Sequence, residues 1–218
     1  MRLLAATGRA YNIDSAIPSS YLIGEIARRC TQLVRGLLRT GRPIFLDSRV
    51  RIRGAGRMVL AKGVSIGSGT FLDARGSVGL VMGPSSRLGH YGVLTTTSHL
   101  SLYGVGLKLG EDSGIGDFFH IGGSGGVTIG RNVIVGPNFL VHSQEHEFSN
   151  PTRAIRDQGT RQEAVEIADD CWIGSRVTLL AGTRLGPRTV VASGSVVKGQ
   201  HNGNELLAGS PAKRIRSI

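Results

Sequence analysis

The sequence is poor in cysteine, in aromatic side chains and in long apolar runs, and each shortage removes a class of protein. Cys30 and Cys171 are the only two cysteines and stand in unrelated contexts. They supply neither a disulfide framework nor the paired spacing of a metal site, and they read as two buried thiols of a reducing compartment. Aromatic residues make up 5% of the chain, so its core has to be thin and aliphatic. No stretch approaches the ~18 consecutive apolar residues of a membrane span, and the opening MRLLAATGRAYNID holds too short an apolar segment for a signal peptide. A cytoplasmic protein is expected. Acidic side chains are scarce as well, at 15 against 26 Lys and Arg, for a net charge of +11. Residues 1–57 hold 11 Arg against Asp14, Glu25 and Asp47, a balance of +8 that leaves +3 for everything after. No aromatic residues interleave with these arginines and no reader motif accompanies them, so nucleic acid is not the expected partner.

What is present in excess is glycine, 33 of 218 residues, and it keeps company with a period. From Ile167 an aliphatic residue returns every sixth position, at Ile173, Leu179, Leu185, Val191 and Val197. The same step recurs in Met82, Leu88, Leu94, in Leu109, Ile115, Ile121 and in Ile129, Val135, Val141. Neither a helix nor a strand has that period. Six residues make one side of a coil: a short extended segment with one inward side chain, then a corner, with three sides closing an 18-residue turn. A small residue follows the aliphatic one at Ile66-Gly67, Leu88-Gly89, Ile115-Gly116, Val135-Gly136 and Ile173-Gly174. Glycine tolerates both positive φ and close backbone approach, which tight corners demand. The period predicts an all-β solenoid, a parallel β-helix, over about 44–200.

Ahead of it, residues 1–43 form an N-terminal segment in which 19–40 carry Leu22, Ile26, Cys30, Leu33 and Leu37, with Ile23, Val34 and Leu38, at helical spacing. Ser19 or Ser20 is available as a cap, and Gly41 with Pro43 ends the helix. Two roles are open: the apolar face covers the open end of the solenoid, or the helix rests on an anionic membrane with Arg28, Arg29, Arg35 and Arg39 near head groups. One polar excursion, HSQEHEFSNPTRAIRDQGTRQEAVE, breaks the period within a loop over 142–166, and such departures from a regular scaffold carry function. Residues 201–218 leave the period as a basic tail.

The hexapeptide run, VTIGRNVIVGPN, the loop HEFSNPTRAIRDQG, DDCWIGSRVTLLAG, ASGSVV and AGSPAKRIR together resemble the left-handed β-helix acyltransferases, and within them the sugar and polysaccharide O-acetyltransferases. The period does not fix the hand; the resemblance implies a left-handed coil, a homotrimer, acetyl-CoA as co-substrate without a metal, and a sugar or glycan acceptor. It implies His146 as general base, since imidazole accepts a proton at neutral pH and returns it to a thiolate. His142 is its rival. Glu145, Glu147, Asp157 and Glu163 are nearby candidates to orient the base, and the sequence does not select among them. For the coenzyme the resemblance implies Trp172 beside the site, the Ser175 amide at the thioester, Ser193 against pantetheine, Lys198 and Gly199 where relatives carry a Thr-Lys pair, and Lys213, Arg214 and Arg216 near the phosphates. Gly116 and Gly123 stand where maltose and galactoside acetyltransferases carry polar residues; IGDFFHIGGSGG is instead similar to enzymes acting on surface polysaccharides. That leaves Asp117, His120 and Glu147 as the groups expected to meet the acceptor. Two other functions fit a β-helix: zinc chemistry through His120, His142 and His146, whose spacing is unlike that of carbonic-anhydrase β-helices, and a non-catalytic glycan-binding module.

Overall fold

The computed structural model describes residues 14, 16–97 and 102–218. Among them the chain winds into a three-sided parallel coil. The first face stacks nine strands, from Phe45–Leu46 through Ile134–Val135, Trp172–Ile173 and Val190–Val191 to Glu205–Gly209 and Ala212–Ser217. The second face runs in seven strands from Arg51–Arg53 through His120–Gly122 and Leu140–His142 to Val196–Val197. The third runs in seven from Met58–Leu60 through Val165–Ile167 to Gln200–His201. Every six-residue aliphatic position from Met82 to Val197 named above is buried in one continuous core, and each such side chain is worth roughly 1.5–3 kcal/mol of transfer free energy.

The corner glycines follow only one of the two reasons glycine is used. Gly116, Gly136 and Gly174 do not have positive φ. What they need is room: a Cβ on Gly136 would sit 2.7 Å from the Ser175 amide nitrogen, and one on Gly174 would sit 2.6 Å from that of Ser193. The left-handed residues come two positions later and carry side chains, at Tyr91, Phe118, Asn138 and Arg176.

The helix spans Ser19–Thr40, with Pro18 rather than a serine at its N-cap and Gly41 (φ 68) closing it through an N–H bond to Leu37 O at 2.9 Å. Its orientation splits the expected apolar face. The half-buried and buried residues toward the coil are Leu22, Glu25, Ile26, Arg29, Gln32, Leu33, Arg35 and Gly36, whereas Ile23, Val34, Leu37, Leu38 and Cys30 are exposed. The first turn of the solenoid has no turn below it, so its carbonyls lack strand partners and need donors. Arg35, Arg39 and Arg42 supply them, donating to Leu46 O at 3.1 Å, Val50 O at 2.8 Å and Leu60 O at 3.3 Å. Gln32 donates to Asp47 at 3.1 Å, and Gly36 lies directly on the Ile44 carbonyl. The helix does cap the coil, but through guanidinium groups. Arg35 and Arg39 are therefore spent on the protein rather than held out for head groups, and Cys30 is not a buried thiol. Cys171 is buried, and burial pushes its thiol up.

At the other end, Glu205–Gly209 pairs in parallel with Val190–Val191 and then antiparallel with Ala212–Ser217. The segment expected as a tail thus continues the first face before folding back on it.

Candidate functional site

One turn of the coil is much longer than its neighbours. Ile173 stacks on Val135, 38 positions earlier, where Val191 stacks on Ile173 after only 18, so this turn carries 20 additional residues. They leave at the corner between the second and third faces and form an antiparallel hairpin, Gln144–His146 with Thr160–Gln162. Because side chains alternate across a strand, Gln144 and His146 share one side of the hairpin and Glu145 and Glu147 the other.

The carboxylate side is closed by two cations. Arg161 lies 3.1 Å from Glu163, 3.4 Å from Glu145 and 3.9 Å from Glu147, and Lys198 adds an ion pair to Glu145 at 3.6 Å. Asp157 pairs with Arg156 at 3.9 Å. All four carboxylates named as candidate partners of the imidazole therefore have cationic partners of their own, and three of them hold the root of the hairpin. His146 is exposed on the opposite side. Glu147, expected at the acceptor, sits in the Arg161 cluster, and Lys198, expected near phosphate with Gly199, joins the hairpin instead of the basic end.

His120 and His142 lie on the outer surface of the second face, their ring centroids 6.2 Å apart. Partial burial, and next the neighbouring His142, press the His120 imidazole below its ordinary 6.5. The sign follows: an imidazole with a lowered pKa stays neutral while the same residue in the unfolded chain takes up a proton, so acidification below about 6.5 costs stability. A histidine-resolved NMR titration should place His120 below 6.5, and His142→Ala should recover the smaller part of the depression; a value at or above 6.5 rules this out. Among the described residues no three His, Cys, Asp or Glu side chains converge as a metal-ligand set.

The expected coenzyme residues gather elsewhere, along the first face and its corner with the second. Ile134, Trp172 and Val190 form one outward ladder, continued by Leu206 and Arg216. Trp172 is 57% exposed in it, which is unusual for the lone tryptophan of a chain. Ser175 and Ser193 stack at the adjoining corner, the Ser175 N–H donating to Ser193 Oγ at 3.1 Å, with Ser193 exposed. Lys213, Arg214 and Arg216 project from the terminal strand, where Arg214 lies 3.6 Å from Glu205. Asp117 occupies the same corner two turns earlier, and its carboxylate accepts the His90 N–H at 2.8 Å, so it is used to stack the coil. Within one chain, then, the imidazole stands at one edge of the second face and the coenzyme set at the other. The signal for the Arg161 clamp was available in the alternation Glu145, Glu147 against Arg161, Glu163, but only the hairpin register makes it readable.

The family described as bacterial transferase hexapeptide (six repeats) matches residues 164–199. A protein of Escherichia coli K12 that bears the name "Putative lipopolysaccharide biosynthesis O-acetyl transferase WbbJ" is 31% identical over 130 residues, which are 52% of this chain and 66% of that one. The chain spans about two thirds or less of the curated relatives it matches. Among solved structures, a variant of the N-acyltransferase AntD from Bacillus cereus, bound to a dTDP-amino-sugar and coenzyme A, superposes with a TM-score of 0.53 at 15% identity over 80% of each chain. The hexapeptide-repeat acetyltransferase VCA0836 of Vibrio cholerae, bound to acetyl coenzyme A, superposes at 0.50 with 19% identity over 100% of this chain and 98% of its own. These likenesses agree with the strand pairing on the fold, a left-handed parallel β-helix.

Proposed function

We propose that this hexapeptide-repeat protein moves an acetyl group from acetyl-CoA to a sugar hydroxyl, within a glycan or its lipid-linked precursor, with His146 as the general base. The observation that carries the reading is the hairpin: a 20-residue insertion in an otherwise regular coil, rooted by Arg161 and Lys198 and presenting His146 on its free side. The imidazole accepts the hydroxyl proton as the oxygen attacks the thioester carbonyl. The C–S bond then breaks, and the proton passes to the departing thiolate. On the first face Trp172 offers an uncovered ring to the coenzyme, Ser193 leaves room for a narrow pantetheine arm, and the cations of 213–216 suit phosphates. For the Ser175 amide to steady an oxyanion it has to give up its bond to Ser193 Oγ.

The separation of imidazole and coenzyme set on two corners of one prism supports a site built from two chains. The hairpin of one subunit meets the first face of the next, and three such head-to-tail contacts close a ring. The sugar acceptor rests on the printed name of WbbJ and on the motifs, and it is the part tested first. Thiol release from acetyl-CoA, measured with nucleotide-, lipid- and polymer-linked sugars, should be acceptor-dependent and yield an O-acetyl ester by mass spectrometry. Coenzyme binding without turnover across that panel would favour a glycan-binding module, and an amide product would replace the hydroxyl with an amino-sugar acceptor.

A further inference from the structure

The capping helix leaves an apolar stripe facing away from the protein. Ile23 is 67% exposed, Val34 58%, Leu37 56% and Leu38 80%, and with Ala27 and Cys30 they follow the i, i+4, i+7 spacing of a single helical side. An amphipathic helix on a globular surface normally buries that side. Here the side toward the coil is mixed, with Leu22, Ile26 and Leu33 half-buried beside Arg29, Gln32 and Arg35, because the open carbonyls of the first turn take its arginines. Scattered exposed apolar residues are ordinary, but a continuous stripe calls for an occupant.

Charge around the stripe says which. The first turn of the coil carries Arg49, Arg51, Arg53 and Arg57, all exposed and none in an ion pair among the described residues. Arg51 and Arg53 lie over the Phe71 ring at 5.3 and 5.4 Å, and Arg57 donates only to the Ser77 carbonyl. The carboxylates at this end are taken: Glu25 by Arg28 and Arg29, Asp47 by Arg28 and Arg35. A second copy docked cap to cap would bring two such cationic rims together, which like-charge repulsion opposes. The helix is also not long and apolar enough to cross a bilayer.

We propose that the outward stripe of the helix docks this protein on an anionic membrane surface, with Ile23, Val34, Leu37 and Leu38 in the interface and the rim Arg49, Arg51, Arg53 and Arg57 against acidic head groups. The arrangement differs from an ordinary peripheral helix, whose polar side faces water: here Gln32, Arg35 and Arg39 are bonded to the coil, so the solenoid axis is held on the membrane rather than tethered to it. If subunits assemble side by side, their caps lie at the same end and reinforce one another.

The test is co-sedimentation of the full chain with vesicles of phosphatidylcholine alone or with about 30% phosphatidylglycerol. The parent should partition at least ~10-fold more strongly to the anionic vesicles and lose that preference as salt rises. Ile23→Ser/Val34→Ser/Leu38→Ser should weaken binding by ~10-fold or more. Arg49→Gln/Arg53→Gln/Arg57→Gln should abolish the preference for anionic lipid. Both variants should keep their melting temperature and their turnover with a water-soluble acceptor. Equal binding by parent and stripe variant overturns the proposal, as does indifference to lipid charge. So does a stripe variant that changes oligomeric mass with no vesicle binding by the parent, which would assign the stripe to a second copy. Binding that emerges only when residues 1–13 are removed overturns it too, since that segment would then be the occupant.

Discussion

A His146→Ala variant turns over about 10²–10⁴-fold more slowly than the parent, the span that a positioned acid–base group contributes, while its KM for acetyl-CoA stays put. His146 is exposed on a hairpin outside the core, and its ring makes no hydrogen bond among the described residues, so removing it should move stability by no more than about 0.5 kcal/mol. Loss of rate then reports chemistry rather than folding. His142→Ala is the matched control. Its ring lies on the outer surface of the second face beside His120, on the coil rather than on the hairpin. If His142→Ala were inactive and His146→Ala kept full turnover, the base would be misassigned. Unchanged kcat with a raised KM would place His146 in binding alone.

The solenoid was legible because its core is one-dimensional. Each turn contributes one aliphatic side chain per face, so the period that buries Ile167 through Val197 is written directly in the sequence. Helix limits were legible for the same reason, through the apolar spacing from Leu22 to Leu38 and the stop at Gly41. The side of the helix that would be buried was not. Apolar spacing names the stripe that prefers to leave water, but the competing demand comes from the carbonyls of Leu46, Val50 and Leu60, which become an open edge only once the first turn exists. The 26 residues from Val141 to Ile167 look like about four sides of coil when counted by sixes. They are one side with a hairpin inserted, and a polar two-stranded excursion has no aliphatic beat to reveal it. The carboxylates near His146 could not be sorted either. It takes the pairing of Glu145 with Arg161 across the hairpin to show that Glu145, Glu147 and Glu163 hold a guanidinium.

The corner between the first and second faces holds the largest expected effect on stability, at a position the six-residue period does not mark. Its inward column runs Val50, Thr70, Gly92, Phe119, Phe139, Val177, Ser195, linked rung by rung through backbone hydrogen bonds. Phe119 and Phe139 are the two largest fully buried side chains among the described residues, and the Phe119 ring occupies the space where Gly92 would carry a Cβ. A large residue over a missing one is how a thin core fills a corner at constant spacing. Phe119→Ala removes the ring and leaves a void that glycine cannot fill, for an expected cost of about 3–5 kcal/mol. Gly92→Ala alone forces a methyl into the ring, at about 1–3 kcal/mol. The two should not add. In the double variant the new methyl enters the space the ring vacates, so chemical denaturation should find it less destabilised than the sum of the singles by at least ~0.5 kcal/mol. Additive losses would mean that the ring and the glycine are not complementary partners, and the column would then be a set of independent rungs rather than a packed corner.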